Sequence, residues 1–273
     1  MHVFDQAIAL SARGEGTYSG ATSPAYGNMV GPFGGVTAAT VLKAVLQHPA
    51  LLGEPVALTV NFAAALADGA FTVHARPVRT NRSTQHWLME ITQPGPDGTE
   101  STVLTATAVT AARRETWGTD DAPMPAVLSP EAVGRPNMAA LVEWVRRYDI
   151  RIAEGAIPTA WDGSGDASRS TLWVRDEPAR MLDFCNLTAM ADVFFPRVWL
   201  RRATRVPAGT VSMTVYFHAG SVQLAGTGTG TGWLLGQAQA QGFRNGFFDQ
   251  TAQVWNEAGA LLATTHQVVY YKE

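Results

Sequence analysis

The chain has 273 residues, of which 46% are hydrophobic and 16% are charged. This composition excludes a disordered, collagen-like or coiled-coil chain, and the length fits one large domain or two small ones. The 20 Lys and Arg residues nearly balance the 23 Asp and Glu residues, and no run of like charges occurs, so neither a nucleic acid nor an anionic membrane surface is expected as a partner.

Other features of the whole sequence favour a cytoplasmic protein. Residues 1–10 include Asp5 and no Lys or Arg, which is unlike a signal peptide. No apolar run approaches the roughly 18 residues of a membrane span. Cys185 is the only cysteine, so no intrachain disulfide can form, as is usual in a reducing compartment.

The first half of the sequence predicts one helix followed by an antiparallel sheet. Apolar residues recur at helical spacing over Val36–Leu46, and Gly34 and Gly35 precede them as a start signal. A turn rich in Pro and Gly, Pro94–Gly98, separates the last two of the predicted strands. These strands are Leu58–Phe62, Phe71–Ala75, Trp87–Ile91 and Thr102–Val109.

The second half follows a Pro-rich segment, Arg113–Pro136, which predicts a linker or a surface crossover. A second helix is predicted over Leu187–Phe195 and ends at Pro196. The Gly-rich tract Gly226–Gly232 predicts a flexible turn between two strands. The predicted strands of this half are Tyr148–Ile152, Thr171–Arg175, Met213–Phe217, Gln237–Gln241, Thr251–Trp255 and Leu262–Tyr271.

The two halves repeat the same order of elements. Met213–Phe217 echoes Leu58–Phe62 at an offset of 155 residues, and the same offset aligns Val36 of the first helix with Ala191 of the second. Because each sheet must cover one face with its helix, the pattern predicts an α+β fold present twice in one chain. The predicted units are residues 1–112, a linker at residues 113–136, and residues 137–273.

Common catalytic and cofactor motifs are absent from the sequence. It contains no Gly-x-Ser-x-Gly nucleophile elbow, no Walker A sequence and no Gly-x-Gly-x-x-Gly dinucleotide fingerprint. The six histidines never occur at metal-ligand spacing, so neither a metal nor another cofactor is expected. Cys185 is expected to be a buried structural thiol, and His218 and His266 are expected to be structural or surface residues rather than bases.

Three polar residues of the second half stand out on apolar elements. Asp192 is the only charged residue of its predicted helix, and a buried carboxylate is costly unless it is hydrogen-bonded or used in function. Gln267 lies on an apolar strand face, and Thr210 enters another strand. On these grounds alone, Asp192 fits a functional role and a place on the solvent-facing side of a helix equally well.

Five short segments give a more specific indication through their order along most of the chain. They are Pro32–Gly35, Leu58–Phe62, Leu187–Pro196, Gly209–His218 and Leu262–Tyr271. Together they resemble the double hot-dog acyl-CoA thioesterases of the TesB type. The resemblance implies a tandem hot-dog fold, with two long helices that are each wrapped by an antiparallel sheet.

The resemblance also implies an active site in the second unit, with Asp192, Thr210 and Gln267 as catalytic residues. In that reading Asp192 activates a water that hydrolyses an acyl-CoA to the free acid and CoA. Backbone N–H groups at the helix start would stabilise the oxyanion, because the first turn of a helix has unpaired donors. The expected substrate-binding residues are Gly34 and Gly35 at that start, and Phe194, Phe195 and Trp199 along an apolar acyl channel.

Two other functions stay open from the sequence. A dehydratase or hydratase of the same fold needs a His beside a carboxylate, and the second helix offers none near Asp192. A non-catalytic protein that binds acyl-CoA or an acyl carrier would keep the channel without needing that carboxylate. In each case the exposed sheet edges predict a homodimer or a larger homo-oligomer.

Overall fold

The main element of the fold is one antiparallel sheet of 13 strands. The structure is a computed structural model that describes residues 1–95, 97–137, 142–227 and 232–273. Buried and more exposed residues alternate along most of the strands, as expected for a sheet that covers a core with one face. The strands are β1 Ser11–Gly14, β2 Thr17–Ala21, β3 Glu54–Phe62, β4 Ala70–Thr80, β5 Thr84–Pro94, β6 Glu100–Ala111, β7 Tyr148–Glu154, β8 Ser170–Asp176, β9 Ala208–Phe217, β10 Leu234–Gln239, β11 Phe243–Arg244, β12 Phe247–Asn256 and β13 Leu261–Tyr271.

The strand order shows how the two halves of the chain join. It runs β1-β2-β4-β5-β6-β3-β9-β13-β12-β10-β8-β7, and β11 pairs with β12 beside this path. The first six strands of this order come from the first half of the chain, and the others come from the second half. The pairing of β3 with β9 therefore makes one continuous sheet from both halves.

The junction between β3 and β9 has the symmetry that the repeat predicts. Thr59 pairs with Thr214, and their hydroxyl oxygens are 3.0 Å apart. These two threonines are separated by 155 positions, which is the offset read from the sequence. Outward from the junction, β6 corresponds to β13, β5 to β12 and β4 to β10.

The α-helices of the described residues are α1 Val3–Ala7, α2 Gly34–Leu46, α3 Phe184–Met190, α4 Arg197–Arg202 and α5 Ser221–Gly226, and two short 3-10 helices span Pro24–Tyr26 and Glu143–Arg147. The long helix α2 lies against the buried face of the sheet, and α4 contacts β12. Helix α2 packs against β4, β5 and α3. Because it is covered on several sides, Ala38, Val41 and Leu42 are fully buried, and α2 forms the centre of the apolar core.

The prediction of a second long helix is wrong. Helix α3 has 7 residues, whereas α2 has 13. It begins three residues earlier than expected because the Asp183 carboxylate caps it, accepting the Asn186 N–H at 2.8 Å. It ends at Met190, and residues 193–196 are not helical. Pro196 disfavours helical backbone at Phe195, but it does not explain the earlier end.

The segment Arg113–Pro136 contains neither helix nor strand, yet it packs on the sheet. The indole N–H of Trp255 donates to the Ala122 carbonyl at 2.9 Å, and that of Trp173 donates to the Leu128 carbonyl at 2.9 Å. These contacts cover the face of the second half that is turned away from the main core. The division into residues 1–112, 113–136 and 137–273 stays a prediction.

Two predicted turns lie partly outside the described residues. Pro94–Gly98 joins β5 to β6, but residue 96 is not described. Of the Gly226–Gly232 tract, residues 228–231 are not described, and the tract follows α5, which the sequence did not predict. No helix among the described residues is long and apolar enough to cross a membrane.

Candidate active site

A cavity of about 440 Å³ lies between the two halves of the chain. The first half contributes the start of α2, Phe62 at the end of β3, and residues that follow β3, including Leu66. The second half contributes the turn after α3 and the inner faces of β9, β12 and β13. The cavity is mainly apolar with a few polar groups, as is usual for a small-molecule site.

Asp192 lies in the wall of this cavity, two residues beyond the end of α3. Its backbone N–H donates to the Ala189 carbonyl at 3.1 Å, so the helical turn is extended by one hydrogen bond. Its side chain is directed at the first turn of α2, where a Cβ on Gly34 would lie 2.9 Å from Oδ2. The carboxylate therefore connects the turn after α3 to the start of α2.

Gln267 and Thr210 form a hydrogen-bonded chain with this carboxylate. The Gln267 Nε2 donates to Asp192 Oδ1 at 2.7 Å, and the Thr210 hydroxyl donates to Gln267 Oε1 at 3.1 Å. Thr210 thus fixes which end of the carboxamide faces Asp192. The structure brings together the three side chains that the sequence singled out, with Thr210 acting through Gln267 rather than on the carboxylate directly.

The pKa of Asp192, which is partly buried at the cavity wall, is set mainly by desolvation. Desolvation raises its pKa from 3.8 to about 7, while the hydrogen bonds from Gln267 and from the Gly35 N–H act in the opposite direction. A carboxylate with a pKa near neutrality is suited to accept and return a proton.

The start of α2 provides backbone donors beside this carboxylate. The residue that precedes the helix is Phe33, whose side chain cannot cap it. The N–H groups of the first turn are therefore available to acceptors outside the helix such as Asp192, and the helix dipole favours negative charge there. Gly34 lines the cavity, whereas Gly35 lies outside its lining and contributes its N–H to the carboxylate.

The apolar residues expected along the acyl channel also reach the cavity. Phe194, Phe195 and Trp199 all line it. The segment that carries them is held by the buried guanidinium of Arg197, whose Nε donates to the Phe195 carbonyl at 2.9 Å and whose Nη1 donates to the Ser170 hydroxyl at 2.6 Å.

Other residues considered from the sequence are away from the cavity. Cys185 is buried, and desolvation raises the pKa of its thiol, so it is a poor nucleophile. Neither His218 nor His266 is among the described residues that line the cavity. The sequence reasoning missed Gln250, which lines it from β12; a polar residue between Phe248 and Ala252 on a buried strand face was the available signal.

Both halves of the chain match models of one protein family. Residues 119–271 match the acyl-CoA thioesterase C-terminal domain. Residues 23–111 match the acyl-CoA thioesterase N-terminal domain. No curated protein matches the chain.

Solved structures share the fold over nearly the whole chain. A protein of unknown function with a hot-dog fold from Alicyclobacillus acidocaldarius is 45% identical, with a TM-score of 0.92 over 100% of this chain and 99% of that one. The acyl-CoA thioesterase II TesB2 from Mycobacterium marinum is 16% identical, with a TM-score of 0.76 over 99% of this chain and 98% of that one. The dehydratase domain of RzxB from Pseudomonas fluorescens is 13% identical, with a TM-score of 0.59 over 100% of both chains. The last two show the fold alone, whereas the family matches and the first neighbour go further: this chain has a hot-dog fold and belongs to the acyl-CoA thioesterase family of thioester hydrolases.

Proposed function

We propose that this protein hydrolyses acyl-CoA thioesters by the attack of a water that Asp192 activates. The observation that carries the proposal is the hydrogen-bonded chain Thr210–Gln267–Asp192 at the wall of a largely apolar cavity. These hydrogen bonds fix Oδ1 of Asp192 and leave its other oxygen, Oδ2, beside Gly34. A water bound to Oδ2 would then face a thioester whose acyl part occupies the cavity.

The reaction has two steps. As the water oxygen attacks the thioester carbon, Asp192 accepts a proton and the carbonyl oxygen becomes an oxyanion near the first turn of α2. The carbon–sulfur bond then breaks as the carbonyl re-forms. The thiolate takes the proton back from Asp192, which is favourable because a thiol of this kind has a pKa of about 8.5 and the carboxyl has one of about 7.

The geometry favours hydrolysis over the dehydratase alternative. Dehydration on this fold was expected to need a His beside a carboxylate, and no His is among the described residues that line the cavity. A purely binding protein would not need a carboxylate that Gln267 holds beside the first turn of α2 at the cavity wall. The chemistry of the wall thus supports a catalytic role for Asp192.

Asp192→Asn tests this mechanism. The Asn side chain keeps the size of Asp and can still accept from Gln267, so the variant should fold, but it cannot act as a base. We expect the release of free thiol from a panel of short-, medium- and long-chain acyl-CoAs to fall by roughly 10²- to 10⁴-fold. The midpoint of thermal unfolding, measured on the same variant, should show that it is folded.

Asp166→Asn is the matched control, because Asp166 is exposed and does not line the cavity. It should retain the wild-type rate. Full activity in Asp192→Asn would remove this carboxylate from the mechanism. Binding of acyl-CoA by the wild-type chain without any thiol release would favour the non-catalytic alternative instead.

The assembly of the chain is proposed on separate grounds. Strands β1 and β7 leave the two edges of the sheet free for pairing among the described residues. A homodimer or a larger homo-oligomer therefore stays a prediction.

A further inference from the structure

Gln250 occupies an unusual position beside the hydrogen-bonded residues Thr210, Gln267 and Asp192. It lies on the inner face of β12, directly opposite Gln267 on β13, and it lines the cavity. Gln250 is only 2% exposed to solvent. Residues opposite each other on antiparallel strands have Cβ atoms about 5 Å apart, so the two carboxamides are neighbours.

The two glutamines differ in how their polar atoms are satisfied. Gln267 donates to Asp192 and accepts from Thr210. The carboxamide of Gln250 has no hydrogen-bond partner anywhere in the described part of the chain. The polar atoms of the Gln250 side chain are accessible from the cavity and are not sealed in the core, so they are open to a hydrogen bond with a substrate bound there.

The other half of the molecule shows that the fold does not require a polar residue here. Through the symmetric pairing of β3 with β9, Leu58 corresponds to Met213. Its neighbours across the strands are Ala108 and then Trp87, where the second half has Gln267 and then Gln250. The first half thus places a buried indole at the position where the second half places an unpaired carboxamide.

The position of Gln250 relative to Asp192 indicates what it contacts. Gln267 is hydrogen-bonded to Asp192, and Gln250 stands one strand further along the same wall. A thioester that faces Asp192 therefore brings its carbonyl group and the first carbons of its acyl chain within reach of a Gln side chain. An oxygen atom at either place would satisfy the N–H donors of Gln250.

We propose that Gln250 is a substrate-contacting residue that donates a hydrogen bond to an oxygen of the acyl group, either the thioester carbonyl or a hydroxyl or keto oxygen close to it. This inference rests on the proposed function, since it needs an acyl-CoA in the cavity. If the oxygen is a substituent, the protein selects oxygenated acyl chains, because a plain chain leaves the carboxamide unpaired.

Gln250→Leu tests the contact, and Gln253→Leu is its matched control. Gln253 is on the same strand but on the opposite face, and it does not line the cavity. We would measure kcat/KM for octanoyl-CoA and for 3-hydroxyoctanoyl-CoA, together with thermal unfolding. We expect Gln250→Leu to lose about tenfold or more in kcat/KM, with an unfolding midpoint equal to or above that of the wild type, because no bond within the protein is lost. Gln253→Leu should keep the wild-type kcat/KM.

The two substrates distinguish the two sources of the oxygen. An equal loss for both would assign the bond to the thioester carbonyl, and a loss confined to the hydroxylated substrate would assign it to the substituent. Unchanged kcat/KM for both substrates would overturn the proposal. A loss of activity that follows a lowered unfolding midpoint would also overturn it, because Gln250 would then be structural.

A binding measurement separates this proposal from the proposed function. Titration of the same two acyl-CoAs into Asp192→Asn and into Asp192→Asn/Gln250→Leu requires no turnover. Weaker binding by the double variant supports the contact even if the wild-type chain proves not to hydrolyse these substrates, and equal binding argues against it whether or not hydrolysis occurs.

Discussion

At the scale of single residues, the carboxylate of Asp192 experiences two opposing effects. Burial next to the cavity disfavours its charge, while the Gln267 amide and the Gly35 N–H favour it. Burial dominates, and the pKa rises to about 7. A base with this pKa is strong enough to take a proton from water during attack and weak enough to return it to a departing thiolate.

The pH dependence of kcat/KM follows from this balance. Because the base must be deprotonated, kcat/KM should fall about tenfold per pH unit below the pKa of Asp192, which is about 7, and should level off above it. In Gln267→Leu the hydrogen bond that favours the charged form is lost, so the pKa rises and the acidic limb moves to higher pH. Thiol release measured across pH 5 to 9 checks both expectations.

Thr210→Val is the control for that shift. It removes the hydroxyl that orients Gln267 but leaves the amide next to Asp192. Its acidic limb should therefore move less than that of Gln267→Leu. An acidic limb that is absent in the wild type, or one that moves to lower pH in Gln267→Leu, would contradict the assignment of Asp192 as the base.

Single residues also show where reading the sequence succeeds. Asp192 and Gln267 were recognisable because each is a polar residue on an apolar element, and both prove to face the cavity. Gln250 has the same signal, a polar residue on a buried strand face, but it lies outside the five segments that carry the family resemblance. The bond from Thr210 to Gln267 crosses 57 positions of the sequence, so the relation between these residues needed the folded sheet.

At the scale of elements, the start of α2 depends on two adjacent glycines that serve different purposes. A Cβ on Gly34 would lie 2.9 Å from Asp192 Oδ2, in the space where the water is expected. A Cβ on Gly35 would lie 2.6 Å from the Ala189 carbonyl oxygen and 2.7 Å from the Phe33 ring. Gly34 leaves space for a water beside Asp192 Oδ2, and Gly35 allows α2 to approach α3 closely.

The two substitutions to Ala should therefore separate activity from stability. Gly34→Ala crowds the end of a side chain, so the protein should fold with a nearly unchanged unfolding midpoint and lose at least about tenfold in kcat. Gly35→Ala crowds backbone and ring atoms, and overpacking of this kind typically costs about 1–3 kcal/mol of unfolding free energy. Denaturant unfolding and thiol release on both variants test the distinction, and a Gly34→Ala protein with full activity would place the water elsewhere.

The helix prediction was accurate for the first half of the chain and not for the second, and the difference has a physical reason. The apolar spacing over Val36–Leu46 is that of a helix buried in the core, and α2 extends it by the two glycines. In the second half the apolar residues Val193 to Phe195 continue the pattern without continuing the helix. Their side chains are buried in a turn whose shape depends on Arg197 and on the bond between Asp192 and Gln267, and neither contact can be read from local periodicity.

At the scale of the whole molecule, the repeat explains why one cavity needs both halves. The Thr59–Thr214 pair lies at the junction, and corresponding strands continue outward on each side. The sequence offset of 155 residues predicted the correspondence at the junction, and the shared order of elements predicted it for the strands further out, where that offset no longer holds. The offset did not predict which half contributes which part of the site. The second half supplies Asp192, Gln267 and Thr210, while the first half supplies the N–H donors of α2 and the wall around Phe62.

This shared construction predicts that neither half is active alone. A cut between Trp117 and Gly118, both exposed, separates residues 1–117 from residues 118–273 without crossing a strand. The second fragment keeps the catalytic chain but loses α2, whose first turn holds the Asp192 carboxylate through Gly35, and it exposes β9, which β3 covers in the intact sheet. Each fragment expressed alone should release no thiol from acyl-CoA, and co-expression should restore activity as β3 and β9 pair. The same co-expression with Asp192→Asn should stay inactive, and substantial activity of residues 118–273 alone would show that the α2 donors are dispensable.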